Sequence, residues 1–389
     1  MSLLVPGLSS AGWVDQTWGT PAIFYSVLFP VDAATGYAVG QTGYLLKTTN
    51  GGAIWVSLAS GTQLDLRSVQ FPVNDQTGYA VGWDGTIQKT WNGGGAWLRQ
   101  TSGTSNPLYS VHFPVNDQTG YAVGGVGTIL KCTMGALWEP RDPGTTNTLF
   151  SVHFPVNAST GYAVGGVGTI LKTTNGGTVW VTQTSGTTNI IYSVHFPVDA
   201  STGYSVGWAG TILKTTNGGA VWVAQTSGTP QNLYAVHFPV DALTGYAVGH
   251  GGTILKTANG GTNWSPQASG TTYNLWSVHF PVDASTGYAV GAWGTILKTT
   301  DGGEPSGVEE ARNADRGMRS AELRITPNPC VSFATLPGHE AERFSLYDVS
   351  GRRVGTYRGD RVGEGLAPGV YFLRPSAVNA KPTRVVKLR

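Results

Sequence analysis

Five histidines recur along the chain at nearly constant spacing: His112, His153, His195, His237 and His279. Neutral imidazole is a common metal ligand, so a ring of five would suit a transition-metal ion. Two features argue for a plainer role. Leu28 and Gln70 fill the same position in the first two copies of the surrounding motif, and every histidine sits among Val and Phe. Structural histidines are expected, with no metal and no cofactor. Acid–base chemistry has as little to work with. A glycosidase needs two carboxylates converging across the scissile bond, and Glu139 is the one glutamate before residue 304. Cys132 and Cys330 fall in different regions, which suggests neither a disulfide framework nor a closed zinc site. No catalytic residue is assigned, and the expectation is a non-enzyme.

Charge narrows the partners. The first 303 residues hold ten Lys and Arg against twelve Asp and Glu, without clustering. A nucleic-acid face needs a basic patch, so that partner is excluded. No apolar run approaches the roughly 20 residues of a membrane-spanning helix. The opening Met1-Ser2-Leu3-Leu4-Val5-Pro6 lacks the basic region of a signal peptide and leaves the compartment open.

The elements that position these residues are set by a repeat. Phe-Pro-Val begins at Phe29, Phe71, Phe113, Phe154, Phe196, Phe238 and Phe280, with spacings of 42, 42, 41, 42, 42 and 42. Seven such units, rich in strand-forming residues and glycine, predict an all-β, seven-bladed β-propeller with four strands per blade. Within one unit, Leu108-Tyr109-Ser110-Val111-His112-Phe113 reads as an alternating strand ended by Pro114. Tyr121–Gly124 and Gly127–Lys131 supply the second and third strands, and the fourth begins at the Trp of the following segment. Seven equivalent lysines, Lys47 to Lys298, read as a solvated or snorkelling position. The last unit lacks its fourth strand. Trp13-Val14-Asp15-Gln16-Thr17 matches Trp180-Val181-Thr182-Gln183-Thr184, so residues 13–18 are expected to close the ring.

Between the third and fourth strands lies a box such as Thr173-Thr174-Asn175-Gly176-Gly177-Thr178-Val179-Trp180. Its copies carry Asn50, Asn92, Asn175, Asn217, Asn259 and Asp301, and the copy at Cys132–Trp138 is one residue short. The hydroxyl and the amide satisfy turn backbone, the glycines supply positive φ, and the Trp packs beneath. The box resembles the Asp-box of sialidase-type propellers. Together with Gly-Tyr-Ala-Val-Gly and Gly-Thr-Ile-Leu-Lys, it makes the repeats similar to those of the photosystem II assembly and stability factor family, across roughly residues 13–303. The sialidase resemblance would require an arginine triad, a Tyr/Glu nucleophile pair and an acid. This region offers Arg67, Arg99 and Arg141, of which Arg67 alone starts an inner strand.

The tail differs in composition. Residues 304–324 are charged and aperiodic and read as a linker. Beyond them stand Thr326-Pro327-Asn328-Pro329, Ser345–Val354, Leu366–Arg374 and the terminal Arg384-Val385-Val386-Lys387-Leu388-Arg389. This set resembles the C-terminal sorting domain of the type IX secretion pathway. It implies a small β-sandwich over residues 325–389 and the type IX secretion machinery as a partner, with a secreted or outer-surface location. Residues 1–12 form a short segment before the propeller at 13–303.

The units diverge most where strand two meets strand three: Gln41-Thr42, Trp83-Asp84, Gly125-Val126, Gly166-Val167, Trp208-Ala209, His250-Gly251 and Ala292-Trp293. These hairpins share a face with the loops between blades, where Trp18, Arg67, Tyr273 and Trp276 also depart from the pattern. Trp83, Asp84, Trp208, His250, Trp293 and Tyr273 are the candidate ligand-binding rim, suited by stacking to a glycan or a peptide. The expected function is a monomeric recognition or adhesion scaffold. An assembly factor for a membrane protein complex is one alternative, and a degenerate sialidase-like hydrolase is another.

Overall fold

The computed structural model describes residues 12–304 and, beyond them, the strands 343–348, 353–358, 369–375 and 383–387. Two compact units divide the chain, the first ending at Gly307 and the second beginning at Val308.

The first unit is a propeller of seven four-stranded antiparallel sheets. In blade 1 the strands run Phe24–Leu28, Gly36–Gly40, Leu45–Thr48 and Val56–Ser57, from the axis outward. Blade 7 takes three strands from the end of the repeats, Leu275–His279, Gly287–Gly291 and Ile296–Thr299. Its outer strand is Val14–Asp15, with Val14 opposite Lys298 and Asp15 opposite Leu297. The pairing continues through Gln16 N–H to the Ile296 carbonyl (2.7 Å) and Trp18 N–H to that of Gly294 (3.1 Å). Closure by the N-terminal strand is as the sequence predicts. Trp18, set apart on sequence as a surface deviation, packs partly buried against the core between blades 7 and 1.

The blades pack through one aromatic triad per interface. The buried Tyr of Gly-Tyr-Ala-Val-Gly stacks on the Phe of the next blade's Phe-Pro-Val, as Tyr37 does on Phe71 with centroids 4.0 Å apart. The box Trp meets that Phe edge-on, Trp97 lying 6.0 Å from Phe71. In blade 7 the Trp of the triad is Trp13, 5.9 Å from Phe280 and only 7% exposed. The box works as the sequence implies. Thr173 Oγ1 accepts the Gly177 amide at 2.9 Å, and Asn175 Oδ1 accepts that of Val179 at 2.9 Å.

The lysines are half-buried rather than freely solvated. Each donates to a box glycine carbonyl of the neighbouring blade at 2.7–3.0 Å, from Lys47 to Gly93 round to Lys298 to Gly51. The same carbonyl takes the Tyr hydroxyl, as Gly93 does from Tyr37 at 3.0 Å. The sequence does not reveal this acceptor, because it lies a full repeat away. In blade 3 the shortened box becomes a tight hairpin, Thr133 facing Leu137 across Met134-Gly135-Ala136. Its Cys132 is a free buried thiol whose pKa burial pushes up to about 12.

The second unit contributes one antiparallel sheet in the order 353–358, 343–348, 369–375, 383–387. Leu346 is buried there. The second layer of the expected sandwich and the linker 304–324 lie outside the described residues, Glu304 excepted.

Candidate functional site

The innermost strands line the channel, and they are not simply alternating. Every one carries a bulge at its second residue. In blade 3 Leu108 faces Gly124 and Ser110 faces Val123, so Tyr109 is extra. The same shift occurs in the other six blades. A bulge adds a residue to one strand and re-aims its side chain. Leu108, Val111 and Phe113 therefore enter the blade core, while Tyr109, Ser110 and His112 stay half-buried on the channel side. The glycine closing the second strand permits this, since a Cβ on Gly82 would lie 1.8 Å from the Asp65 carbonyl oxygen.

Three rings of side chains follow down the channel. The deepest is the histidine ring. Nδ1 of His279, His112, His153, His195 and His237 accepts the Phe amide of the next blade at 3.2–3.3 Å. Gln70 Oε1 does the same for Phe113, and Leu28 offers nothing. Burial holds these imidazoles neutral, with His112 and His279 lowered to about 4 and His195 to about 3. They are structural acceptors. Among the described residues no group of His, Cys, Asp or Glu is arranged to hold a metal. Above them, serine hydroxyls accept the next blade's Val amide at 3.3–3.4 Å, as Ser68 does for Val111, while blade 6 has Ala235 in that place.

The outermost ring is the bulged residue itself: Tyr25, Arg67, Tyr109, Phe150, Tyr192, Tyr234 and Trp276, around a cavity of about 160 Å³. Neighbours touch all the way round. Tyr109 to Phe150, Phe150 to Tyr192 and Tyr192 to Tyr234 are 5.2–5.3 Å between centroids, and Tyr234 stacks on Trp276 at 4.2 Å. Tyr25 meets Trp276 at 6.0 Å. Arg67 lies 3.7 Å from the Tyr25 centroid, a cation–π contact, and 5.6 Å from that of Trp83. Burial raises the Tyr25 pKa against the opposing charge of Arg67, and Asp65 adds to the rise.

The predicted rim surrounds this mouth only in part. Trp83 joins the annulus through Arg67. Tyr273 and Trp293 stack at 5.9 Å beside a groove of about 250 Å³ that also holds Trp13, Asp15 and Thr17. His250 Nδ1 meets Gln231 Oε1 at 2.8 Å, and Trp208 stands exposed on blade 5. Asp84 and Trp293 occupy the first central position of type I′ turns, both with positive φ (51° and 58°). Arg67 and Trp276 stood out in the sequence, but Tyr25, Tyr109, Phe150, Tyr192 and Tyr234 did not. A strict period of two sends Tyr109 into the core with Val111, and no residue in the strand announces the bulge. Glu139, the sialidase reading's sole glutamate, pairs with Arg141 at 2.8 Å on the outer strand of blade 3, away from the channel.

The family model of the photosynthesis system II assembly factor YCF48 matches residues 179–268, from the end of blade 4 through blade 6. These blades resemble YCF48. The solved YCF48 from Cyanidioschyzon merolae superposes with a TM-score of 0.63 at 20% identity, covering 74% of this chain and 99% of its own. A YCF48 bound to a D1 peptide gives 0.63 at 17%, covering 77% and 99%. The RRP9 WD40 repeats give 0.64 at 9%, covering 76% and 99%. At these identities the likeness to YCF48 structures speaks for the propeller fold. No curated protein sequence matches the chain.

Proposed function

We propose that this protein is a non-catalytic docking propeller of the assembly-factor type, holding a segment of a partner protein over the channel mouth. The observation that carries this is the closed annulus of six aromatic side chains and one arginine, with Trp83 beside it. Aromatic residues and arginine dominate the buried centres of protein interfaces. The YCF48 solved with a D1 peptide supports a peptide over a glycan and favours assembly over adhesion. Peptide and glycan arrays probed with the intact chain test it. Peptides should be retained, and Tyr234→Ala or Trp83→Ala should lose them while the melting temperature moves little. Glycan-only capture, or full peptide capture by both variants, would remove the proposal.

A second proposal concerns address and rests on the tail landmarks. Ser345–Asp348 and Arg353-Val354 fall on adjacent antiparallel strands, with 371–374 on the next. Residues 325–389 then serve as a sorting domain for the type IX secretion machinery, and the propeller works at the outer surface or in the medium. Cells expressing the chain cut after Arg324 should retain it internally. Undiminished surface display of that truncation would refute it.

A further inference from the structure

The annulus carries its one charged side chain in a single sector, where blades 7, 1 and 2 bring Trp276, Tyr25 and Arg67 together. Two donors there meet no acceptor, Nε of Arg67 and Nε1 of Trp276, and the Arg67 side chain keeps 20% of its surface exposed. Tyr25 touches both side chains. A buried donor without a partner is costly, and an arginine fork matches a carboxylate in shape and charge. Asp65 does not use up that capacity. Its Oδ1 takes the Thr42 amide at 2.9 Å, and its Oδ2 lies 3.5 Å from Arg67 and 3.4 Å from the Tyr25 hydroxyl. Those last contacts exceed ordinary hydrogen-bond lengths, so Asp65 steadies the arginine against Tyr25 and leaves its remaining N–H groups free. A cationic ligand would meet Arg67 already seated on the aromatic face.

We propose that the channel mouth captures a carboxylate. Arg67 receives it, while Tyr109, Phe150, Tyr192 and Tyr234 pack the apolar side chain next to it. This deepens the docking reading and rests on it for the identity of the ligand as a peptide. The carboxylate belongs either to a chain end or to an acidic side chain, and short probes separate the two.

The test is calorimetric titration of the full chain with acetyl-Gly-Leu as acid and as amide, and with acetyl-Asp-Leu-amide against acetyl-Asn-Leu-amide. In at least one pair the carboxylate should bind about tenfold tighter or more. The pair that discriminates identifies the source. Arg67→Gln should abolish the difference and Arg67→Lys retain part of it, with thermal melts confirming that both fold. Equal binding within both pairs, a difference that survives Arg67→Gln, or no binding at millimolar probe overturns the assignment. Array capture through Tyr234 without charge discrimination would leave docking standing and remove the carboxylate. Discrimination without array capture would keep the site and remove the docking reading.

Discussion

An imidazole that accepts an amide proton on Nδ1 must carry its own proton on Nε2, so each channel histidine is held in one neutral tautomer. The consequence is a pH dependence with a definite sign. In the unfolded chain these groups charge near their usual 6.5, whereas folded His112 and His279 wait until about 4. Between those values the unfolded state binds more protons, so stability falls as pH drops. Up to five protons should be taken up on unfolding in that window. Denaturation midpoints measured from pH 7 to 4 should decline steeply, and His112→Gln with His279→Gln should flatten the decline. Gln70 already shows that glutamine can fill the position. A flat profile in the parent chain would contradict the assignment. The structural role of these residues was legible in the sequence because Leu28 and Gln70 stand in for them. Their acceptor duty was not, because the donor amide sits one repeat away.

At the scale of single elements, the hairpins between second and third strands are type I′ turns, with the fourth residue's amide bonded to the first residue's carbonyl at 3.0–3.2 Å. Such turns need positive φ at both central residues, which suits Asn-Gly. Blades 3 and 4 instead place exposed Val126 and Val167 at φ 53°. A β-branched residue there is strained. Val126→Asn and Val167→Asn should each stabilise the protein by about 0.5–1 kcal/mol. Chemical denaturation of both single variants checks this, and unchanged or lowered midpoints would show that the turn tolerates valine without strain. Trp293 holds the same backbone geometry while stacking on Tyr273, so its replacement by Asn trades that contact for relief. Strand order and the box turns could be read directly from the Phe-Pro-Val phase. The bulges could not, because a one-residue shift is set by close approach of Gly82 to Asp65 rather than by any pattern along the inner strand.

For the whole molecule, stability depends on a joint between the two ends of the propeller. Trp13 is packed against Tyr246, Phe280 and Leu297, as each box Trp is within its own blade interface. Trp13→Ala should cost about 3–5 kcal/mol. Deleting residues 1–20 should lower the melting temperature of the ring in a single transition, monitored by calorimetry. A separate low-temperature step confined to blade 7, with the rest unchanged, would show that the blades are not coupled through this joint. Lys298, Tyr288 and Ser277 also reach across from blade 7 into blade 1, so the joint has polar as well as apolar ties.

That joint also imposes an order in time. The outer strand of blade 7 is the first strand of the repeat region to be synthesised, and the edge it needs is synthesised last, with Val14 and Lys298 brought into register from opposite ends. Six blades can form as the chain emerges, each from adjacent residues, whereas the seventh waits on a contact of very high sequence separation. During that wait each nascent molecule displays a donor strand and, once Thr299 is made, an acceptor edge. Two molecules meeting at this stage could exchange strands, so crowded synthesis favours linked propellers and dilute synthesis favours closed ones.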